Sequence, residues 1–137
     1  MSIKGTDSGR RICQVIELKA NSLEEYKKIH AHVWPSVLAT LQRAHIVDYS
    51  IHFLPTPPYL PNGEREGVDA IAGLLIATFK YVGDNFDEDM KMVAGDADTL
   101  QWWGITDRMQ NSVVDGATGS KDGPWWFDCD EVFRFEG

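Results

Sequence analysis

The sequence predicts an α+β protein of ferredoxin-like type, element order βαββαβ, with an antiparallel sheet carrying both helices on one face. Three observations carry this. Residues 46–54, IVDYSIHFL, alternate apolar and polar as a half-buried strand does. The stretches 24–38 and 84–109 repeat apolar residues at helical spacing. Strand-like runs open and close the chain, with no internal repeat and no domain boundary.

Residues 1–10 are polar and lack the apolar core of a signal peptide, so a flexible tail is expected there, with one domain over 11–137. RICQVIEL, 11–18, reads as the first strand. Ser22 and Glu25 have capping-box spacing and start the first helix. Pro35 lacks an N–H and clashes with the carbonyl of Ala31, which predicts a kink near Trp34 before the helix continues to about Ala44. In the second strand Val47, Tyr49, Ile51 and Phe53 share one face, and Asp48, Ser50 and His52 the other. A breaker-rich loop, PTPPYLPNGEREG, leads to a buried strand over 70–82. Phe86, Met90 and Val93 start the second helical region; Gly95 interrupts it, and DADTLQWWGITDRM resumes it. After a Gly-rich loop, 125–136 reads as the last strand, with Trp125, Phe127, Cys129, Phe133 and Phe135 on one face. The face of the sheet without helices needs cover, and a second copy packed there would give a dimeric α+β barrel.

Composition narrows the function. The 137 residues are 43% hydrophobic and 25% charged, as in a soluble globular protein. A net charge of −8, with no basic run longer than two residues, argues against nucleic acid and anionic membranes. Two cysteines, Cys13 and Cys129, make neither a disulfide framework nor a zinc site and suit a cytoplasmic protein. His30 and His32 diverge on a helix and cannot share a metal. DNFDED lacks the central Gly and distal Glu of a calcium loop. No phosphate-binding loop or nucleophile elbow is present.

Tyr26, His30 and Trp34 follow one another at four-residue steps. Each step turns a helix by about 40°, so the three share the face that carries Leu23, Val33, Val37 and Leu41. The topology places the start of the first helix and the end of the second at the same end of the sheet. Tyr26 and His30 should therefore meet Trp102 and Trp103, and Tyr49 should point at them from the second strand. Indole faces pack on the C–H surface of a sugar ring, while phenol and imidazole bond its hydroxyls. An imidazole titrating near 6.5 moves protons at neutral pH. Taken singly, each residue is equally a core residue: an inward His with a hydrogen bond, a core Tyr, and adjacent Trp rings diverging by about 100°. The convergence is what suggests a polyol pocket.

EEYKKIHAHVWPSV, HIVDYSIHFL, DTLQWWGITDRM and DEVFRF, in that order, resemble the L-rhamnose mutarotase family over about residues 11–135. The resemblance implies a homodimeric α+β barrel that interconverts the α and β anomers of a free monosaccharide without metal or cofactor. It implies His30 as proton donor and Tyr26, Tyr49, Trp102 and Trp103 as sugar-binding residues. Two departures stand out. The loop over 55–69 is long and Pro-rich, and 113–124 is Gly-rich. Both are expected at the pocket end, the first as a lid offering Tyr59 as a stacking face. Two rival readings are a cofactor-independent monooxygenase of the same barrel type, which needs a mostly apolar cavity, and a non-catalytic binding relative with a filled pocket.

Overall fold

The computed structural model describes residues 9–60 and 70–137. Its central strand is β1 (Arg10–Lys19). On one side β1 pairs with β3 (Ile71–Tyr81), and β2 (Ile46–Pro55) lies outside β3. On the other side β1 pairs with β4 (Gln110–Asn111) and, further along, with β5 (Phe127–Asp128). These pairings are antiparallel, and the order β2-β3-β1-β4 is that of the predicted ferredoxin-like fold.

The β1–β3 register sets Ile12, Ile16 and Leu18 opposite Phe79, Leu75 and Gly73, on the face the helices cover. Two apolar clusters form there. Ile12, Phe79 and Tyr81 pack with Ala44, Ile46 and Val93 near one end of the sheet, and Ile16, Leu18 and Leu75 pack with Tyr26 near the other. Gly73 marks a close approach: a Cβ there would lie 2.1 Å from the Leu54 carbonyl oxygen and 2.8 Å from Pro55 Cα. Backbone cannot yield as a side chain does. Gly73→Ala is expected to cost at least the roughly 1–3 kcal/mol of an overpacked core, read as a lowered urea midpoint.

The first helical region is two helices, α1 (Leu23–His30) and α2 (Pro35–Arg43), rather than one kinked helix. Trp34 precedes a proline and is held extended at ψ 132°, so the chain leaves the helix before Pro35 and re-enters with Pro35 in the first turn, where its missing N–H costs nothing. Ser22 does cap α1 by position, but its hydroxyl bonds Asn21 Oδ1 at 3.2 Å and the capping box does not form. The second region is α3 (Phe86–Ala94) and α4 (Ala97–Asp107), broken at Gly95 as predicted. Asn85 and Asp96 accept hydrogen bonds from the free N–H groups of Glu88 and Thr99 at their starts. Asp89, in the first turn of α3, is tied to the sheet side of the core. Hydrogen bonds from Tyr81 and His45 hold its carboxyl below the usual range.

The alternation of the second strand is interrupted. Asp48, at φ 54°, and Tyr49 both lie opposite Phe79 in a bulge between Val47 and Ser50. Tyr49, Ile51 and Phe53 keep the helix face, while Val47 turns to the other and Ile46 takes its place in the core.

The last strand is far shorter than 125–136. Beyond β5 one further bond, from the Cys129 N–H to the Cys13 carbonyl, holds the chain to β1. Continuing the register, Val132 falls opposite Arg10, where β1 begins. The remaining segment runs past the sheet, and Val132, Phe133 and Phe135 are 94%, 81% and 80% exposed. Among the described residues no helix is long and apolar enough to cross a membrane.

Candidate active site

Tyr26 is buried against Ile16, Leu18 and Leu75, and one turn later His30 ends α1. The four-residue step stacks their rings at 4.1 Å between centroids, 25° from parallel. His30 meets Trp102 of α4 edge-on at 5.4 Å, and Trp102 meets Trp34 edge-on at 5.2 Å. The convergence predicted for Tyr26, His30 and Trp102 is therefore present. Trp34 joins them although the helix breaks before it.

The predicted divergence of the two adjacent tryptophans also appears. Trp102 is 7% exposed within this ring cluster, whereas Trp103 packs against the other apolar cluster, around Phe79 and Tyr81. The structure does not bring Trp103 onto His30. Tyr49 stacks on Phe79 at 5.1 Å and lies across the sheet surface from Tyr26, close enough for its phenol to disfavour ionisation of the Tyr26 phenol. Tyr49 is 41% exposed, and burial of the rest of its ring against Phe79 pushes its phenol pKa up to about 12.

One hydrogen bond fixes the state of His30. Its Nδ1 lies 2.8 Å from the Tyr26 carbonyl oxygen. A carbonyl only accepts, so Nδ1 carries the proton and the neutral ring presents a lone pair at Nε2. Burial lowers the imidazole pKa below its ordinary value, and the carbonyl bond offsets only part of this. Near neutral pH the group is a poised base. Burial raises the Tyr26 phenol well above its normal range, so it stays protonated.

Two residues here escaped the sequence reading. Gln110, 3% exposed, donates through Nε2 to the Tyr26 hydroxyl at 3.2 Å and accepts from Trp125 Nε1 at 2.9 Å. Gln110 sits on a two-residue strand, too short for any periodicity to reveal. Trp125 was expected on one face of the last strand, with no part in the site.

The Pro-rich loop does not bring Tyr59 to this cluster. The Tyr59 hydroxyl donates to Glu17 Oε2 at 2.8 Å, and Glu17 alternates with Leu18, so it faces away from the helices. Asn111 donates to the other carboxylate oxygen at 2.7 Å. The rest of the loop, 61–69, lies outside the described residues. Among the described residues no three His, Cys, Asp or Glu side chains gather as metal ligands would.

The family model described as L-rhamnose mutarotase matches residues 11–60 and 70–135. An L-rhamnose mutarotase of Mesorhizobium japonicum is 46% identical over 37 residues, 27% of this chain and 35% of that protein. An L-fucose mutarotase of Xanthomonas campestris pv. campestris is 26% identical over 132 residues, 92% of this chain and 88% of that one. The solved structure of an L-rhamnose mutarotase from Formosa agariphila shares the fold, with a TM-score of 0.61 at 20% identity, covering 93% of this chain and 99% of that one. None of these supports a monooxygenase. The chain belongs to the L-rhamnose mutarotase family and is a sugar mutarotase, an isomerase.

Proposed function

We propose that the protein interconverts the α and β anomers of a free 6-deoxyhexose of the rhamnose or fucose type, with His30 as the proton-transfer group. The observation that carries this is the neutral His30 ring, its Nε2 lone pair fixed by the Tyr26 carbonyl, set between a phenol and an indole. The two named relatives act on sugars that share a C6 methyl, and Trp34 and Trp102 offer an apolar wall for it.

The reaction moves one proton between two oxygens on the same carbon. Nε2 takes the proton from the anomeric hydroxyl as the C1–O1 bond becomes a carbonyl. The bond from C1 to the ring oxygen breaks, and that oxygen takes a proton from the imidazolium. Rotation about C1–C2 presents the other aldehyde face, and the steps reverse. Both oxygens are bonded to C1, so one imidazole reaches both, and no redox change is involved. Tyr26, Tyr49 and Trp102 hold the sugar, whereas Trp103, packed in the other apolar cluster, takes no part in holding it.

This reading requires neutral His30. Because its pKa is lowered, catalysed exchange should fall as pH drops, with a midpoint below the ordinary imidazole value of 6.5. Exchange measured by NMR from pH 5 to 8, with circular dichroism to exclude unfolding, tests this. A midpoint above 6.5 contradicts it.

We also propose a cytoplasmic homodimer. Cys13 and Cys129 are free thiols, which suits a reducing compartment. The exposed Val132, Phe133 and Phe135, with the sheet face carrying Val15, Leu74 and Ile76, offer apolar surface to a second copy. Burial there stabilises at about 25 cal/mol per Å². Sedimentation equilibrium should give a dimer at micromolar concentration, and removal of residues 132–137 should weaken it. A monomer for the intact chain refutes this.

A further inference from the structure

We infer that Gln110 makes Tyr26 a committed hydrogen-bond donor to the sugar, a positioning role that rests on the mutarotase reading above. The Trp125 indole N–H can only donate, so the Gln110 atom 2.9 Å from it is the amide oxygen. The amide nitrogen must then be the atom 3.2 Å from the Tyr26 hydroxyl. An amide nitrogen only donates, so the hydroxyl oxygen accepts. Its own proton is left over, and among the described residues it meets no acceptor. The Tyr26 ring is stacked on His30, so this proton is presented next to the group that transfers protons. A sugar oxygen placed against His30 Nε2 would find it.

The chain Trp125 to Gln110 to Tyr26 thus runs in one direction, and it starts from a side chain that cannot reverse it. The fold supports the order. Gln110 is held opposite Leu18 in the sheet, and the Trp125 carbonyl accepts from the Ser112 hydroxyl at 2.6 Å, tying both residues to one short segment. A Tyr26 free to turn its hydroxyl would instead be donor or acceptor as the ligand required, and would discriminate less between a ring oxygen and a hydroxyl.

Gln110→Glu tests this because it changes the direction of the bond without changing the shape of the side chain. An ionised carboxylate accepts from both Trp125 and Tyr26, which consumes the Tyr26 proton. At pH 8 the variant should exchange anomers about tenfold more slowly than the wild type, roughly the worth of one hydrogen bond. A protonated carboxyl donates as the amide does, so the ratio of variant to wild-type rate should rise as pH is lowered; taking the ratio removes the titration of His30. A merely structural role gives a ratio that does not change with pH. That result, or an unchanged rate at pH 8, overturns the inference while leaving the mutarotase reading intact. Should Gln110→Glu not fold, Trp125→Phe frees the amide to rotate and should slow exchange with the fold retained; an unchanged rate then overturns the inference. A wild type that exchanges neither L-rhamnose nor L-fucose overturns the reading and the inference together.

Discussion

His30→Ala is expected to lower catalysed anomer exchange by about 10²–10⁴-fold, the usual worth of a positioned acid–base group. The side chain ends α1 and is only partly buried, so its removal should leave the fold in place. What disappears is the one lone pair fixed beside Tyr26 and Trp102. His30→Gln keeps a polar tip but cannot titrate, and should be equally slow. Exchange at the wild-type rate in either variant would make His30 a hydrogen-bonded core residue, the alternative its sequence position also allows.

Trp102→Ala should affect both stability and activity. The indole is 7% exposed and touches His30 and Trp34 edge-on, so truncation removes a large buried ring and leaves a cavity. Such changes cost about 3–5 kcal/mol, enough to lower the melting temperature by roughly 10 °C or more in a domain of this size. With the ring gone, His30 and Trp34 lose their shared wall, and the sugar loses a face to pack on. KM should rise even where the variant is measured well below its melting temperature. Trp102→Phe refills part of the volume and should recover part of both effects. A Trp102→Ala variant with unchanged KM would make this indole core only.

The fold was legible because long elements carry long patterns. β3 is a long apolar run, α3 spaces Phe86, Met90 and Val93 along one face, and the ends of β3 and α4 fall within a residue or two of the expected ones. The core of the site was legible for a related reason: four-residue spacing fixes the Tyr26 and His30 faces, and strand order fixes which helix ends meet. What the sequence hid depends on single residues whose conformation overrides a period. Asp48 in a left-handed conformation adds one residue to β2, which sends Val47 to the far face while Tyr49 stays. Pro35 ends a helix where a kink was expected, because the residue before it is forced out of the helical region. Tyr59 turned to Glu17 because a buried carboxylate needs donors, a demand visible only once Glu17 is known to be 2% exposed. Gln110 carries no signal at all until Trp125 and Tyr26 are seen on either side of it.

This chain is expected to accelerate ring opening and closing of a free sugar through His30. Saturation-transfer NMR of the anomeric protons measures that rate directly, on L-rhamnose, L-fucose and a panel of other aldoses, at pH 7.5 and at several protein concentrations. Exchange above the spontaneous rate is expected for at least one 6-deoxyhexose, rising in proportion to protein and lost in His30→Ala. Exchange at the spontaneous rate for every sugar, at every concentration of folded protein, would contradict it.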